Sequence, residues 1–396
     1  MVMGQLENLL ENAVRDGKVP HAVVYATSRD GSFTYHHASG YNIVGKDEKV
    51  SEDACFMLAS QTKLMTTISA LQVVEKGLIG LDDDVAGVLP EVAEQKILTG
   101  WDERDEPILV ERKGVITLRH LLTHTSGLCY DAAHPDLIKF QHKRGHALNT
   151  GDTIPERFGG HPLVFEPGTN WIYSSGIDWA GKLVERLTDR SLEQHMQTNL
   201  WVPLGITGIT FWPFESEELR DTVPALTVRT PEGELVLNDA PTINTGSKDC
   251  FGGHGAYARM SDYLKILHCL LANDGRILRP ATVEEMFTPQ LSPGAKAGLQ
   301  SFRQGPYAAM LIGENDPSID ADWGLGGMLF MEDDEGRRKK GTLSWGGMVN
   351  TFWLVDREAG VTLTFGTQVL PPGDKGVTEV ITGVERGVYG MAGVEF

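Results

Sequence analysis

Apolar positions near the start of the chain recur at helical spacing: Leu6, Leu9, Leu10, Ala13 and Val14 share one side of a helix predicted over residues 5–18, which Gly17 and Pro20 stop. The period then shortens. Residues 21–27 and 33–38 read as strands flanking Arg29-Asp30-Gly31, a hairpin signal. From Ser60 to about Thr207 the longer period dominates, over 64–76, 118–122 and 177–200, and marks a mainly helical lobe. Residues 211–246 are rich in Pro, Thr and Glu without helical period and read as an irregular insertion of strands and loops. A helix returns at 260–271, strands follow at 323–331, 341–345, 351–355 and 361–367, and a last helix lies near 377–389. Strands at both ends with helices between predict an α/β fold in which one sheet is completed by both termini and the helical lobe is inserted into it.

Composition narrows the functional classes. At 396 residues, 41% hydrophobic and 22% charged, the chain is globular and long enough for one large core or two interleaved ones. A net charge of −19 argues against a nucleic-acid or anionic-membrane partner. No basic stretch followed by an apolar one opens the chain, and no apolar run is long enough to span a bilayer, so the expectation is a soluble cytoplasmic protein. Cys55, Cys129, Cys250 and Cys269 are scattered without paired spacing, which fits a reducing compartment, and Cys55 reads as an inert core thiol. No motif calls for a nucleotide, metal or redox cofactor: Gly324-Leu325-Gly326-Gly327 lacks the strand-to-helix setting of a phosphate loop.

Four stretches combine residue types that do chemistry. In Ser60-Gln61-Thr62-Lys63, a helix opening at the serine puts a hydroxyl and an amine on one face, and a desolvated lysine can activate such a hydroxyl. A capping serine followed by a snorkelling lysine is the alternative. Residues 116–128 contain His120 and His124, read as satisfying buried backbone groups because no carboxylate accompanies them at ligand spacing. Trp171-Ile172-Tyr173-Ser174-Ser175-Gly176 places a tyrosine at a loop-to-helix junction, for chemistry or for packing. In Ser344-Trp345-Gly346-Gly347-Met348, paired glycines at a strand edge admit a close neighbour or form a bulge.

The four motifs in this order resemble the serine β-lactamase and penicillin-binding-protein superfamily, particularly class C β-lactamases and family VIII carboxylesterases, and the chain is similar over nearly its whole length to the lovastatin-type acyltransferases of fungi. Residues 179–186, 203–207 and Cys250-Phe251-Gly252-Gly253 add to the likeness. It implies a β-lactamase-like fold, with an antiparallel sheet domain at 1–55 and 250–396, a helical and irregular lobe at 56–249, and the active site between them.

Carried over residue by residue, the resemblance makes Ser60 the acylated nucleophile, Lys63 its base and Tyr173 the proton shuttle, with the first proton going to either Lys63 or Tyr173. The backbone N–H groups of Ser60 and Met348 would form the oxyanion hole, and Tyr130, Ser175, His254, Trp323, Trp345, Gly346 and Gly347 would bind substrate. Trp345 stands where β-lactamases carry a cation and Ser175 where they carry Asn, so antibiotic hydrolysis is disfavoured. A noncatalytic binding protein and D-amino-acid peptide chemistry rank lower still. Acyl transfer from a thioester or ester to a natural-product hydroxyl is the leading expectation, and simple ester hydrolysis the alternative. Tyr130, Trp171, Trp323, Met328, Trp345 and Met348 would suit a large apolar acceptor or form core. Arg337-Arg338-Lys339-Lys340, following Glu332-Asp333-Asp334-Glu335, reads as a solvated hairpin tip, or else as a docking site for an acyl carrier protein.

Overall fold

The strand-forming segments at the two ends of the chain close into one seven-stranded antiparallel sheet in a computed structural model that describes residues 3–240, 242, 244–305, 308 and 310–394. Its order is Ala321–Trp323, Met328–Phe330, Leu343–Gly346, Phe352–Asp356, Val361–Gly366, His21–Ser28 and Thr34–Gly40. The first strand of the chain pairs with the C-terminal one, with Val23 opposite Gly366, so the termini complete a single sheet.

Both faces of this sheet are covered, and side-chain alternation decides what covers each. Val24, Ala26, Leu363 and Phe365 pack against Leu6 and Leu10 of helix Met3–Arg15 and Val377 and Ile381 of helix Lys375–Met391. Val23, Trp353 and Val355 belong to the other face, whose core includes Tyr263, Ile266 and Leu267 of helix Met260–Ala272. That core continues into the lobe through Leu64, Ile68 and Leu71 of helix Thr62–Glu75 and Ile177, Ala180 and Val184 of helix Gly176–Thr188. Helix Thr62–Glu75 is enclosed on every side, with Thr62 through Val73 all buried. Its polar side chains are therefore tied internally: Thr66 Oγ1 donates to the Gly252 carbonyl at 2.7 Å, and Gln72 Nε2 donates to the carbonyls of Asn199 and Ile277 at 2.8 and 3.0 Å.

The expected strand over 323–331 is two strands, because Gly324–Gly327 makes a turn closed by Gly324 N–H donating to the Gly327 carbonyl at 2.9 Å. The expected helix over 177–200 breaks at Asp189, left-handed at φ 52°, and restarts at Leu192 under a capping box formed by Ser191 and Gln194. The helical lobe also holds a hairpin, Ile97–Trp101 with Pro107–Val110. Among the described residues, no helix is long and apolar enough to cross a membrane.

The basic run after the acidic one is not a solvated tip throughout. Arg337 and Arg338 are buried, and Arg338 Nε and Nη2 donate to the two carboxylate oxygens of Glu385 at 2.6 and 3.0 Å. Arg337 donates to Asp334 and, at 3.4 Å, to Glu385, so the hairpin is bolted to the last helix. Glu385→Ala would strand the buried guanidinium of Arg338 and take one partner from Arg337, which keeps Asp334, and a loss of about 3–5 kcal/mol is expected, read as a lower urea midpoint. An unchanged midpoint would show that the cluster carries no stability.

Candidate active site

Strand Cys55–Met57 leads into a tight turn, Ala59–Gln61, before helix Thr62–Glu75 begins. Ala59 sits at φ 45°, a backbone region that costs a non-glycine residue energy and persists only where its surroundings hold it. Here Leu58 N–H donates to the Ala256 carbonyl at 2.9 Å and Thr62 Oγ1 donates to the Ala59 carbonyl at 2.7 Å. The turn leaves Ser60 half-buried, lining a cavity of about 300 Å³.

One helical turn on, Lys63 is 1% exposed, with Nζ 3.4 Å from Ser60 Oγ, 3.1 Å from Tyr130 Oη and 2.7 Å from the Gly253 carbonyl. With N–H groups on the Gly253 carbonyl and Tyr130, the remaining side of the amine faces the serine hydroxyl. Tyr130 in turn donates to Asp178 Oδ2 at 3.2 Å, and Asp178 Oδ1 accepts from Gly253 N–H at 2.8 Å. Burial, reinforced by the Asp178 charge, holds the Tyr130 phenol well above the usual tyrosine range, so it stays a neutral relay between amine and carboxylate. Asp178 is absent from the sequence-derived site; the available signal was a carboxylate in the first turn of an amphipathic helix, beside its buried Ile177 and Trp179.

Tyr173 faces the same amine, with Lys63 Nζ 4.6 Å from its ring centroid. Trp345 Nε1 donates to Tyr173 Oη at 3.1 Å, so an indole N–H holds the phenol. His124 supports this junction from behind: its ring centroid lies 4.7 Å from that of Tyr173, and its Nδ1 accepts from Ser174 N–H at 3.2 Å. His120 Nδ1 likewise accepts from Thr117 N–H at 3.3 Å, so both histidines serve buried backbone groups.

The paired glycines dock the edge of the sheet onto the serine turn. A Cβ on Gly347 would lie 2.2 Å from the Leu58 carbonyl oxygen and 3.2 Å from Ala59 Cβ, and one on Gly346 would lie 2.4 Å from Ile312 Cβ. Only glycine admits that approach, which brings the backbone at 346–348 beside Ser60.

Of the residues singled out from sequence, Tyr130, Tyr173, His254, Trp345, Gly346, Gly347 and Met348 line the cavity with Ser60. Ser175 and Trp323 are buried and do not line it; Trp323 packs edge-on against Trp345, with centroids 4.8 Å apart. Trp171 and Met328 belong to the same buried cluster. The rest of the apolar wall comes from Ile172, Phe302, Met310, Leu311 and Ile312. Phe302 lies on helix Pro293–Gln304, which the sequence announces through Ser292 as a cap, Pro293 at the first position and Ala295, Leu299 and Phe302 at helical spacing. Cys55 is a core thiol, pushed up to about 12 by burial.

Comparison with known proteins agrees with this geometry. The β-lactamase family model matches residues 6–381. The chain belongs to the β-lactamase family. Within that family it is 37% identical to a lovastatin esterase of Penicillium rubens, covering 93% of this chain and 94% of that one. It is 36% identical to monacolin J acid methylbutanoyltransferase of Aspergillus terreus, covering 97% and 95%. Simvastatin synthase (LovD) of Aspergillus terreus, in its LovD6 mutant form, superposes with a TM-score of 0.90 at 36% identity, covering 98% of this chain and 97% of that one. The chain is thus an enzyme of the acyltransferase and esterase branch of the β-lactamase family.

Proposed function

We propose that the protein moves an acyl group from a thioester or ester donor to a hydroxyl of an apolar small-molecule acceptor, through an acyl-enzyme on Ser60. The observation that carries this reading is the Ser60, Lys63, Tyr130, Asp178 and Tyr173 constellation opening into a cavity with an apolar wall. Such a wall shelters the ester intermediate from water and offers contact area to a bulky alcohol. The similarity to a methylbutanoyltransferase supports transfer.

In the first half-reaction Lys63 takes the Ser60 proton as Oγ bonds to the donor carbonyl carbon. The oxygen charge is received by the N–H groups of Ser60 and Met348. Collapse breaks the bond to the leaving thiolate or alkoxide, which Tyr173 protonates. In the second, Tyr173 takes the acceptor's hydroxyl proton, the alkoxide attacks the acyl carbon, and Oγ leaves with the proton held by Lys63. Hydrolysis follows the same path with water as acceptor, a second reading favoured by the similarity to an esterase.

Among the described residues, no side chain lining the cavity is charged, which fits uncharged acyl and acceptor groups. Docking of a carrier protein through residues 337–340 has no such support, because Arg337 and Arg338 are committed to buried acidic partners.

Intact-protein mass spectrometry of wild type and Ser60→Ala, exposed to acyl-pantetheine thioesters with and without alcohols, tests the proposal. A Ser60-dependent adduct that persists in water and is discharged by an alcohol is the expected result. Rapid Ser60-dependent thioester loss without an adduct would favour the esterase, and neither outcome would overturn both.

A further inference from the structure

His254 is 6% exposed, yet it is among the residues that line the cavity with Ser60 and Tyr130. Its orientation is fixed by two neighbours. Phe251 stacks on it, with centroids 5.1 Å apart and planes 20° from parallel. Asn244 Nδ2 donates to the His254 carbonyl at 3.0 Å, which turns Asn244 Oδ1 toward the ring, 2.8 Å from Nδ1. An amide oxygen only accepts, so Nδ1 carries the proton and Nε2 a lone pair.

Burial keeps the ring in that form. Burial lowers the imidazole to about 4 against the pull of Asp178, and the positive charges of Lys63 and Arg157 add to the lowering, so the ring is neutral near pH 7. Asp178 Oδ1, 3.9 Å from Nε2, already accepts the Gly253 N–H. Among the described residues Nε2 has no hydrogen-bond partner. An orphaned buried acceptor is costly, and a donor brought by a ligand recovers that cost.

We propose that His254 Nε2 accepts a hydrogen bond from a non-reacting hydroxyl of the acceptor, so that the enzyme selects alcohols carrying a second O–H. This rests on the acyl-transfer reading above. His254 acts here as a specificity residue and takes no proton, since so weak a base would not hold one. The reacting hydroxyl remains with Tyr173.

The test measures the partition of the acyl-enzyme formed from p-nitrophenyl butyrate between water and added acceptor, comparing cyclohexanol with the 1,2-, 1,3- and 1,4-cyclohexanediols. In wild type at least one diol should exceed cyclohexanol by roughly tenfold after correction for its two hydroxyls, the selectivity one hydrogen bond provides. His254→Phe should erase that advantage, and His254→Gln, whose Oε1 can accept in place of Nε2, should restore most of it. The selectivity is a ratio within each variant, so a general loss of activity does not mimic it. No diol preference in wild type, or a preference that survives His254→Phe, overturns the inference while leaving acyl transfer standing. Hydrolysis alone with every alcohol overturns the transfer reading and this one with it. If His254→Phe fails to fold, failure of His254→Gln to keep the wild-type preference overturns the role.

Discussion

Lys63→Met should lower the rate of acylation by about a thousandfold or more, with the fold retained, as expected when the base of a coupled catalytic unit is removed. Methionine fills nearly the same volume, so the enclosed site opens no large cavity. It supplies no lone pair to Ser60 Oγ and no N–H to Tyr130 or to the Gly253 carbonyl, the partners Lys63 holds at 3.1 and 2.7 Å. The orphaned carbonyl and phenol should cost about 1–3 kcal/mol of stability, a separate and smaller effect. Stopped-flow measurement of p-nitrophenolate release from p-nitrophenyl butyrate, beside a thermal melt, resolves the two. Half of wild-type activity in a folded variant would remove Lys63 as the base and pass that role to Tyr173.

The sequence made Ser60 and Lys63 legible because they lie within one helical turn, where spacing along the chain is spacing in space. The rest of the proton path has no such shortcut. Lys63 meets Tyr130 across 67 residues of chain, and Tyr130 meets Asp178 across 48, so the relay exists only once helices Thr62–Glu75 and Gly176–Thr188 pack. Ser175 and Trp323 show the opposite error. The family resemblance placed Ser175 and Trp323 among the substrate-binding residues, whereas both side chains are buried in the core. For the fold, period-two strands at both termini revealed the sheet, while strands of two or three residues, such as Ile209–Thr210 and Val369–Leu370, are too short to imprint a pattern. Their pairings, with Tyr257–Arg259 and Thr227–Arg229, depend on partners far along the chain.

Gly347→Ala should reduce kcat by about a hundredfold with a smaller change in KM, the signature of losing oxyanion stabilisation rather than ground-state binding. The added methyl meets the Leu58 carbonyl oxygen at 2.2 Å and Thr351 Oγ1 at 2.5 Å, so the glycine strand and the serine turn must separate. Two interactions resist that separation: Gly347 N–H donates to the Thr351 carbonyl at 2.8 Å, and Thr351 Oγ1 donates to the Leu58 carbonyl at 3.3 Å. Whichever yields, the N–H of Met348 retreats from the site where charge develops on the donor's oxygen, and a transition state loses more from that retreat than a neutral bound ester does. Steady-state kinetics with a small activated ester reads the split directly. A rise in KM with kcat unchanged would mean that the glycines admit substrate and take no part in holding the oxyanion, and the second donor would then have to come from elsewhere on the serine turn.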